Sequence, residues 1–171
     1  MSNVYVFGAF PLRMQYYDPD LISAGDLGGS SPGRISLEAP SLFDIGDVKA
    51  GEATVIMAMA IENTGSGPPT RQGNASDVRV FARCNNGLYA GQQTEFGQEA
   101  VTEQWIEADI GAGFVPVGGD YSPTDPASNY VSIPDIGWTF VSNIIVFRLN
   151  IPSSVETVGE LYVEFGVSAA Y

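Results

Sequence analysis

The architecture is indicated most clearly by two stretches, Asn143-Ile-Ile-Val-Phe-Arg-Leu-Asn-Ile-Pro152 and Gly159-Glu-Leu-Tyr-Val-Glu-Phe-Gly-Val-Ser168. In the second stretch, apolar side chains alternate with polar, small or amphipathic ones. A period of two residues is typical of a strand that buries one of its faces. We therefore predict two long strands, and in the second of them the buried face consists of Leu161, Val163, Phe165 and Val167.

Upstream, further strand patterns follow one another from Gly51 onward and are separated by Gly, Pro and Asn residues. Only Gln92–Ile106 carries a helical pattern, and its Gly97 and irregular apolar spacing predict one short turn at most. Strands at such short spacing predict an all-β fold, an antiparallel two-sheet β-sandwich over residues 51–171. The remaining predicted strands are Ala53–Glu62, Asp77–Cys84, Gln104–Ile110, Phe114–Val117, Tyr130–Ile133 and Trp138–Val141.

Three short motifs carry a resemblance to a known family. They are Ile61-Glu-Asn-Thr-Gly65, Ala75-Ser-Asp-Val-Arg-Val80 and Gly159-Glu-Leu-Tyr-Val-Glu-Phe165. Their order resembles that of immunoglobulin-like domains of the cell-adhesion-related bacterial type, and it implies an immunoglobulin-like sandwich. The section between Leu88 and Trp138 departs from that pattern, so a jelly roll is the alternative arrangement.

Residues 1–50 form a segment of different character, in which prolines and glycines interrupt every run. Only short strands such as Val4–Phe7 and Arg34–Leu37 fit between these breaks. The segment is nevertheless too apolar for a solvated linker. We predict an extended N-terminal arm that either folds back over its own sandwich or lies across a neighbouring subunit. The candidate interface residues of this arm are Tyr5, Phe7, Phe10, Tyr16 and Tyr17.

The composition limits the classes of partner. Charged residues make up only 16% of the chain, and 20 acidic against 7 basic residues give a net charge of −13. Such a surface repels phosphate backbones and anionic lipids, so we expect no nucleic-acid or membrane partner, and basic surfaces are favoured. The first residues lack a basic leader and their apolar run ends at Pro11, which predicts a protein without a signal peptide, made in a host cytoplasm.

The sequence offers little reaction chemistry. It contains no histidine, so a Ser-His-Asp or Cys-His constellation cannot be built. A carboxylate pair such as Glu103 with Glu107 is the remaining route to hydrolysis, and we predict no catalytic site. The single cysteine, Cys84, is predicted to be a small buried apolar residue.

We expect no cofactor, with calcium as the alternative because hard cations prefer carboxylate and carbonyl oxygens from loops. Two acidic clusters could provide such oxygens, although Asp is also a common turn residue. These clusters are Asp18 with Asp20 and Asp26, and Asp120 with Asp125.

Small sandwich domains with an arm are similar to the cement proteins of tailed-bacteriophage capsids, which often form trimers. The resemblance implies a non-enzymatic capsid decoration protein of the virion, a homo-oligomer whose partners are other virion proteins, above all the major capsid protein. One alternative is a structural protein of the phage tail, baseplate or neck. The other is a carbohydrate- or surface-binding module in which Trp105 and Trp138 stack on sugar rings.

Overall fold

Over the residues that the structure describes, the protein is an all-β sandwich of two sheets with one short helix, which confirms the predicted fold class. The computed structural model describes residues 2–6, 12–17, 34–36, 41–46, 48–64, 73–83, 95–118, 129–156 and 162–171. The elements are β1 (Ser2–Val6), β2 (Leu12–Tyr17), β3 (Arg34–Ser36), β4 (Ser41–Gly46), β5 (Ala53–Asn63), β6 (Ser76–Arg83), α1 (Glu95–Thr102), β7 (Ile106–Asp109), β8 (Val115–Pro116), β9 (Val131–Ile133), β10 (Ile145–Asn150) and β11 (Tyr162–Ala170).

Among the described residues, one sheet has five strands and the other has six. Their orders are β4-β1-β11-β6-β9 and β3-β2-β5-β10-β7-β8. Neighbouring strands are antiparallel except for β1 and β11, which run parallel. The chain therefore passes repeatedly from one sheet to the other.

The core lies between the facing sides of the two sheets. Val163, Phe165 and Val167 of β11 are buried in it, which confirms the alternation predicted for that part of the strand. The ring of Phe165 contacts that of Phe147 in β10, with 4.3 Å between their centroids. Burial of one such side chain stabilises the fold by about 1.5–3 kcal/mol.

The central strand β5 is buried on both of its faces, which explains its continuous apolar sequence. Met57, Met59 and Ile61 belong to the main core. On the opposite face, Ala58 and Ala60 form a second buried cluster with Ile144 and Val146 of the neighbouring strand segment. Strand β5 therefore contributes side chains to buried clusters on both faces of the six-stranded sheet.

Strands of the first 50 residues are members of both sheets. β1 lies between β4 and β11, and β2 lies between β3 and β5. Of the predicted interface residues, Tyr5 lies in β1 and Tyr16 and Tyr17 lie in β2, whereas Phe7 and Phe10 lie outside the described residues. Their role at an interface and the division of the chain at residue 50 stay predictions.

Helix α1 is longer than predicted, because its eight residues form two turns. Phe96, Ala100 and Val101 are buried in the core, and this packing outweighs the low helix propensity of Gly97. The prediction of one turn at most was therefore wrong.

The helix ends in a Schellman motif built on a non-glycine residue. The N–H of Trp105 donates to the carbonyl of Ala100 at 3.0 Å, and that of Gln104 donates to Val101 at 3.3 Å. Gln104 adopts the left-handed conformation, with φ of 62°. This reversal directs Trp105 back into the core.

Candidate docking surface

A tight turn exposes two aromatic side chains at one end of the sandwich. It consists of Gly137, Trp138, Thr139 and Phe140, and is called the aromatic turn below. The N–H of Phe140 donates to the carbonyl of Gly137 at 3.0 Å. Trp138 is 47% exposed and Phe140 is 67% exposed. The strand predicted over Trp138–Val141 is thus wrong, since only Val141 forms an isolated bridge to β5.

The aromatic turn lies in a segment, residues 134–143, that passes from one sheet to the other. Before the turn, Ile136 and Ala75 exchange two backbone hydrogen bonds of 2.9 Å, next to β6. This bridge continues the register of the β6–β9 ladder, in which Val78 pairs with Ile133. The segment is therefore attached to the five-stranded sheet before the turn begins.

After the turn, the same segment is attached to β5 in the six-stranded sheet. The carbonyl of Phe140 accepts the N–H of Asn63 at 2.9 Å, and the N–H of Ser142 donates to Ile61 at 2.8 Å. The hydroxyl of Ser142 accepts the N–H of Ile61 at 2.9 Å. Backbone bonds to both sheets thus fix the two ends of the turn.

Two asparagine side chains add to this attachment. Asn63 is fully buried, and its Nδ2 donates to the carbonyls of Gly73 at 2.8 Å and Ile136 at 3.3 Å. Asn74 uses its Oδ1 to accept the N–H of Trp138 at 3.0 Å. Backbone N–H and carbonyl groups that would bond to water in an exposed turn are therefore hydrogen-bonded within the protein.

The aromatic turn holds one residue in an unfavourable conformation. Thr139 has φ of 66°, in the left-handed region that a β-branched residue rarely adopts. This conformation costs roughly 1–2 kcal/mol for a residue with a Cβ. It persists because the bonds on both sides determine the path of the backbone, and such strain concentrates at functional positions.

Phe140 lies against the glycine at the start of the turn. A Cβ at Gly137 would stand 3.0 Å from Cδ2 of the Phe140 ring. Because Gly137 has no side chain, the Phe140 ring can lie over the backbone while most of the ring surface faces solvent. Val141, which is 39% exposed, extends the apolar surface on the side of β5.

The aromatic turn is flanked by acidic residues. Asp135 is exposed two positions before the turn, and Glu62 forms the bridge to Val141 just after it. On β6, Arg79 donates to Asp77 at 3.1 and 2.8 Å. Hydrogen bonding to this carboxylate raises the pKa of the Arg79 guanidinium above its ordinary value.

Two arginines of the sandwich strands are paired within the chain. Besides Arg79, Arg148 of β10 donates to Glu107 of β7 at 2.5 Å and lies 3.9 Å above the centroid of the Phe114 ring. Asn150 donates to the other oxygen of Glu107 at 3.3 Å. Arg148 and Glu107 therefore form a polar contact on the outer face of the six-stranded sheet.

The two tryptophans have different environments. Trp105 is only 6% exposed and packs against Phe96 with 6.0 Å between ring centroids. Its predicted role in stacking on sugar rings is therefore wrong, because a buried indole offers no face to a ligand. Trp138 keeps the exposure that such a contact requires.

Among the described residues, the other candidates for chemistry form no assembled site. Glu103 is exposed just after α1, and the carboxylate of Glu107 is engaged by Arg148 and Asn150. Cys84 and both predicted calcium clusters lie outside the described residues. In the part of the chain that the structure describes, no three acidic or cysteine side chains converge in a group able to hold a metal ion. None of the helices described there has the length and apolar character needed to cross a bilayer.

Comparison with known proteins gave no matching family model and no curated protein with significant similarity.

Proposed function

We propose that the chain is a non-enzymatic structural protein that attaches to another protein through the aromatic turn. Its biological setting, in this proposal, is the virion of a tailed bacteriophage, where it is a capsid decoration protein. The observation that carries the proposal is the fixed exposure of Trp138 and Phe140 on a strained turn bonded to both sheets.

The two exposed aromatic side chains lower the free energy of a complex in which a partner covers them. Each large apolar side chain removed from water contributes about 1.5–3 kcal/mol. Association also costs free energy when mobile loops become ordered. Because backbone bonds on both sides already hold the aromatic turn, much of that ordering cost is absent. Exposed tryptophan on a preorganised turn is typical of residues that dominate binding at an interface.

The virion setting is supported by composition and by the resemblance to cement proteins. A charged fraction of 16% and a chain without histidine suit a scaffold that covers surfaces more than one that performs chemistry. In this proposal the partner is the major capsid protein, and the chain forms homo-oligomers, trimers among them. Tyr5, Phe7, Phe10, Tyr16 and Tyr17 supply the second contact region.

The test measures co-sedimentation of the full chain with empty capsid shells prepared without it. The variant Trp138→Ala/Phe140→Ala should lose most of its binding. The control is Val55→Ala, which shortens another exposed apolar side chain, 46% exposed, elsewhere on the sandwich. Equal occupancy of shells by the double variant and the control, with both folded, would show that the aromatic turn is not the contact. Binding to isolated tails instead of shells would favour the tail, baseplate or neck alternative.

A carbohydrate-binding role is the second candidate, favoured by the exposure of Trp138 alone. Retention on immobilised glycans should then depend on Trp138 and remain nearly constant with ionic strength, because sugar rings are uncharged. Retention that is unaffected by Trp138→Ala, or no retention, removes this candidate.

A further inference from the structure

We infer that Asn74 is a positioning residue of the docking surface: its side-chain oxygen holds Trp138 in the conformation that the partner protein binds, and it thereby sets the affinity of the aromatic turn. This inference depends on the proposed function, because it names a residue that controls the same surface. It follows from the hydrogen bonds of the turn and from the way in which the backbone around Asn74 is held.

The bond from Asn74 reaches the interior of the aromatic turn. The backbone groups of Ile136 and Phe140 attach the two ends of the turn to the sheets. Between these ends, the N–H of Trp138 donates to the Oδ1 of Asn74 at 3.0 Å. Among the described residues, this is the one hydrogen bond that joins residues 137–139 to a distant part of the chain. The orientation of Trp138 therefore depends on a side chain 64 residues earlier.

Asn74 is itself held by its two neighbours. The amide of the buried Asn63 donates to the carbonyl of Gly73 at 2.8 Å, and Gly73 has φ of 131°, in a region that favours glycine. On the other side, Ala75 is fully buried and exchanges two backbone hydrogen bonds with the segment that carries the turn. The backbone of Asn74 is thus fixed although the residue is exposed, so its side chain loses little freedom when it bonds Trp138.

Loss of this bond would release a turn that is strained. Thr139 follows Trp138 and has φ of 66°, which a β-branched residue rarely adopts. Without the acceptor on Asn74, the turn gains access to conformations in which Thr139 is relaxed and Trp138 has another orientation. A partner that fits the observed conformation then binds only the fraction of molecules that adopt it, and its apparent dissociation constant rises by the inverse of that fraction.

The experiment measures binding of variants of the full chain to the same empty capsid shells. Asn74→Ala should weaken binding about three- to tenfold, the effect of one hydrogen bond between neutral groups. Asn74→Asp keeps the acceptor oxygen and should retain binding. The matched controls are Asn143→Ala and Asn143→Asp, which make the same changes at an exposed position of the segment that carries the turn. Both controls should bind like the unmodified chain.

A second measurement follows the turn without a partner. Hydrogen exchange at the N–H of Trp138 should be faster in Asn74→Ala than in Asn74→Asp or in the unmodified chain, because only the alanine variant lacks the acceptor. A role of Asn74 in stability alone would leave shell binding by the folded alanine variant unchanged.

The outcomes separate this inference from the proposed function. If Trp138→Ala/Phe140→Ala loses binding while Asn74→Ala binds like Asn143→Ala, docking stands and the positioning role is wrong. That role is also wrong if Asn74→Asp binds as weakly as Asn74→Ala while Asn143→Asp binds normally, since the amide nitrogen would then contact the partner. Equal exchange at the N–H of Trp138 in Asn74→Ala and in the unmodified chain overturns it as well. If neither the aromatic variant nor Asn74→Ala changes shell binding, or the unmodified chain does not bind shells, both ideas are rejected.

Discussion

Asn63 and Phe140 are joined by a backbone hydrogen bond of 2.9 Å, through which the aromatic turn is attached to the central strand β5. The side chain of Asn63 extends this link, because its buried amide bonds the carbonyls of Gly73 and Ile136. One residue thus connects β5, the loop before β6 and the segment that carries the turn.

Replacement of Asn63 by alanine should destabilise the protein and loosen the aromatic turn. The substitution removes the side-chain donor to the Gly73 carbonyl and the second donor to the Ile136 carbonyl, which the N–H of Ala75 still bonds. The lost buried hydrogen bonds cost about 1–3 kcal/mol of the free energy of unfolding. Urea unfolding measures the loss, and hydrogen exchange at the N–H of Trp138 reports the mobility of the turn. Asn143→Ala, at an exposed position in the same segment, is the control and should change stability by less than about 0.5 kcal/mol. Similar values for both variants would contradict the role given to Asn63.

Replacement of Thr139 by asparagine should stabilise the protein. Asparagine tolerates the left-handed conformation better than a β-branched residue, so part of the roughly 1–2 kcal/mol of strain is removed. Thermal unfolding should show a higher midpoint, while shell binding stays unchanged because both aromatic side chains remain. An unchanged or lower midpoint would mean that Thr139 is not strained.

The sequence predicted best those strands whose burial follows a simple rule. Val163, Phe165 and Val167 alternate with other residues because one face of β11 meets the core, and the apolar run of β5 reflects burial on both faces. Such patterns depend only on neighbours along the chain. For this reason the class of fold and these two strands could be predicted from sequence.

The candidate docking surface could be predicted only in part. The sequence marks Trp138, together with Trp105, as a candidate for stacking on sugar rings. Its pattern nevertheless predicts one strand over Trp138 and Phe140, and it gives no sign of the role of either asparagine. The backbone of the turn is held by Asn74, 64 residues earlier in the chain, and by Asn63. A bond between such distant residues leaves no local pattern, although Gly137 before two aromatic residues is a signal of a turn.

Strands β2 and β4 were missed for a related reason. Prolines and glycines between them suggested a segment without long regular structure, whereas pairing with β5 and β1 makes each of them a six-residue strand. The predicted length of helix α1 is too short, because the sequence shows the low helix propensity of Gly97 but not the packing of the helix against the core. In these elements tertiary contacts override the local preference of the chain.

Replacement of Gln104 by glycine should stabilise the end of α1. Gln104 occupies the left-handed position of the Schellman motif, which glycine adopts without the cost that a Cβ imposes, a gain of up to about 1 kcal/mol. Urea unfolding is the measurement. The control Gln98→Gly, at an exposed position inside the same helix, should instead lower stability by about 1 kcal/mol. If both variants lose stability equally, the motif does not restrain the helix end.

Replacement of Gly166 by alanine should destabilise the five-stranded sheet, because Gly166 of β11 is the register partner of Phe81 in β6. A Cβ at this position would stand 2.8 Å from two atoms of the Phe81 ring, and the ring is only 5% exposed and has little room to move. Such overpacking costs about 1–3 kcal/mol. Urea unfolding of Gly166→Ala, Phe81→Leu and the double variant measures the free energy of unfolding of each. The loss in the double variant should be smaller than the sum of the two single losses, because a smaller side chain at residue 81 leaves room for the new methyl group. Strict additivity would show that the ring and the glycine do not constrain each other.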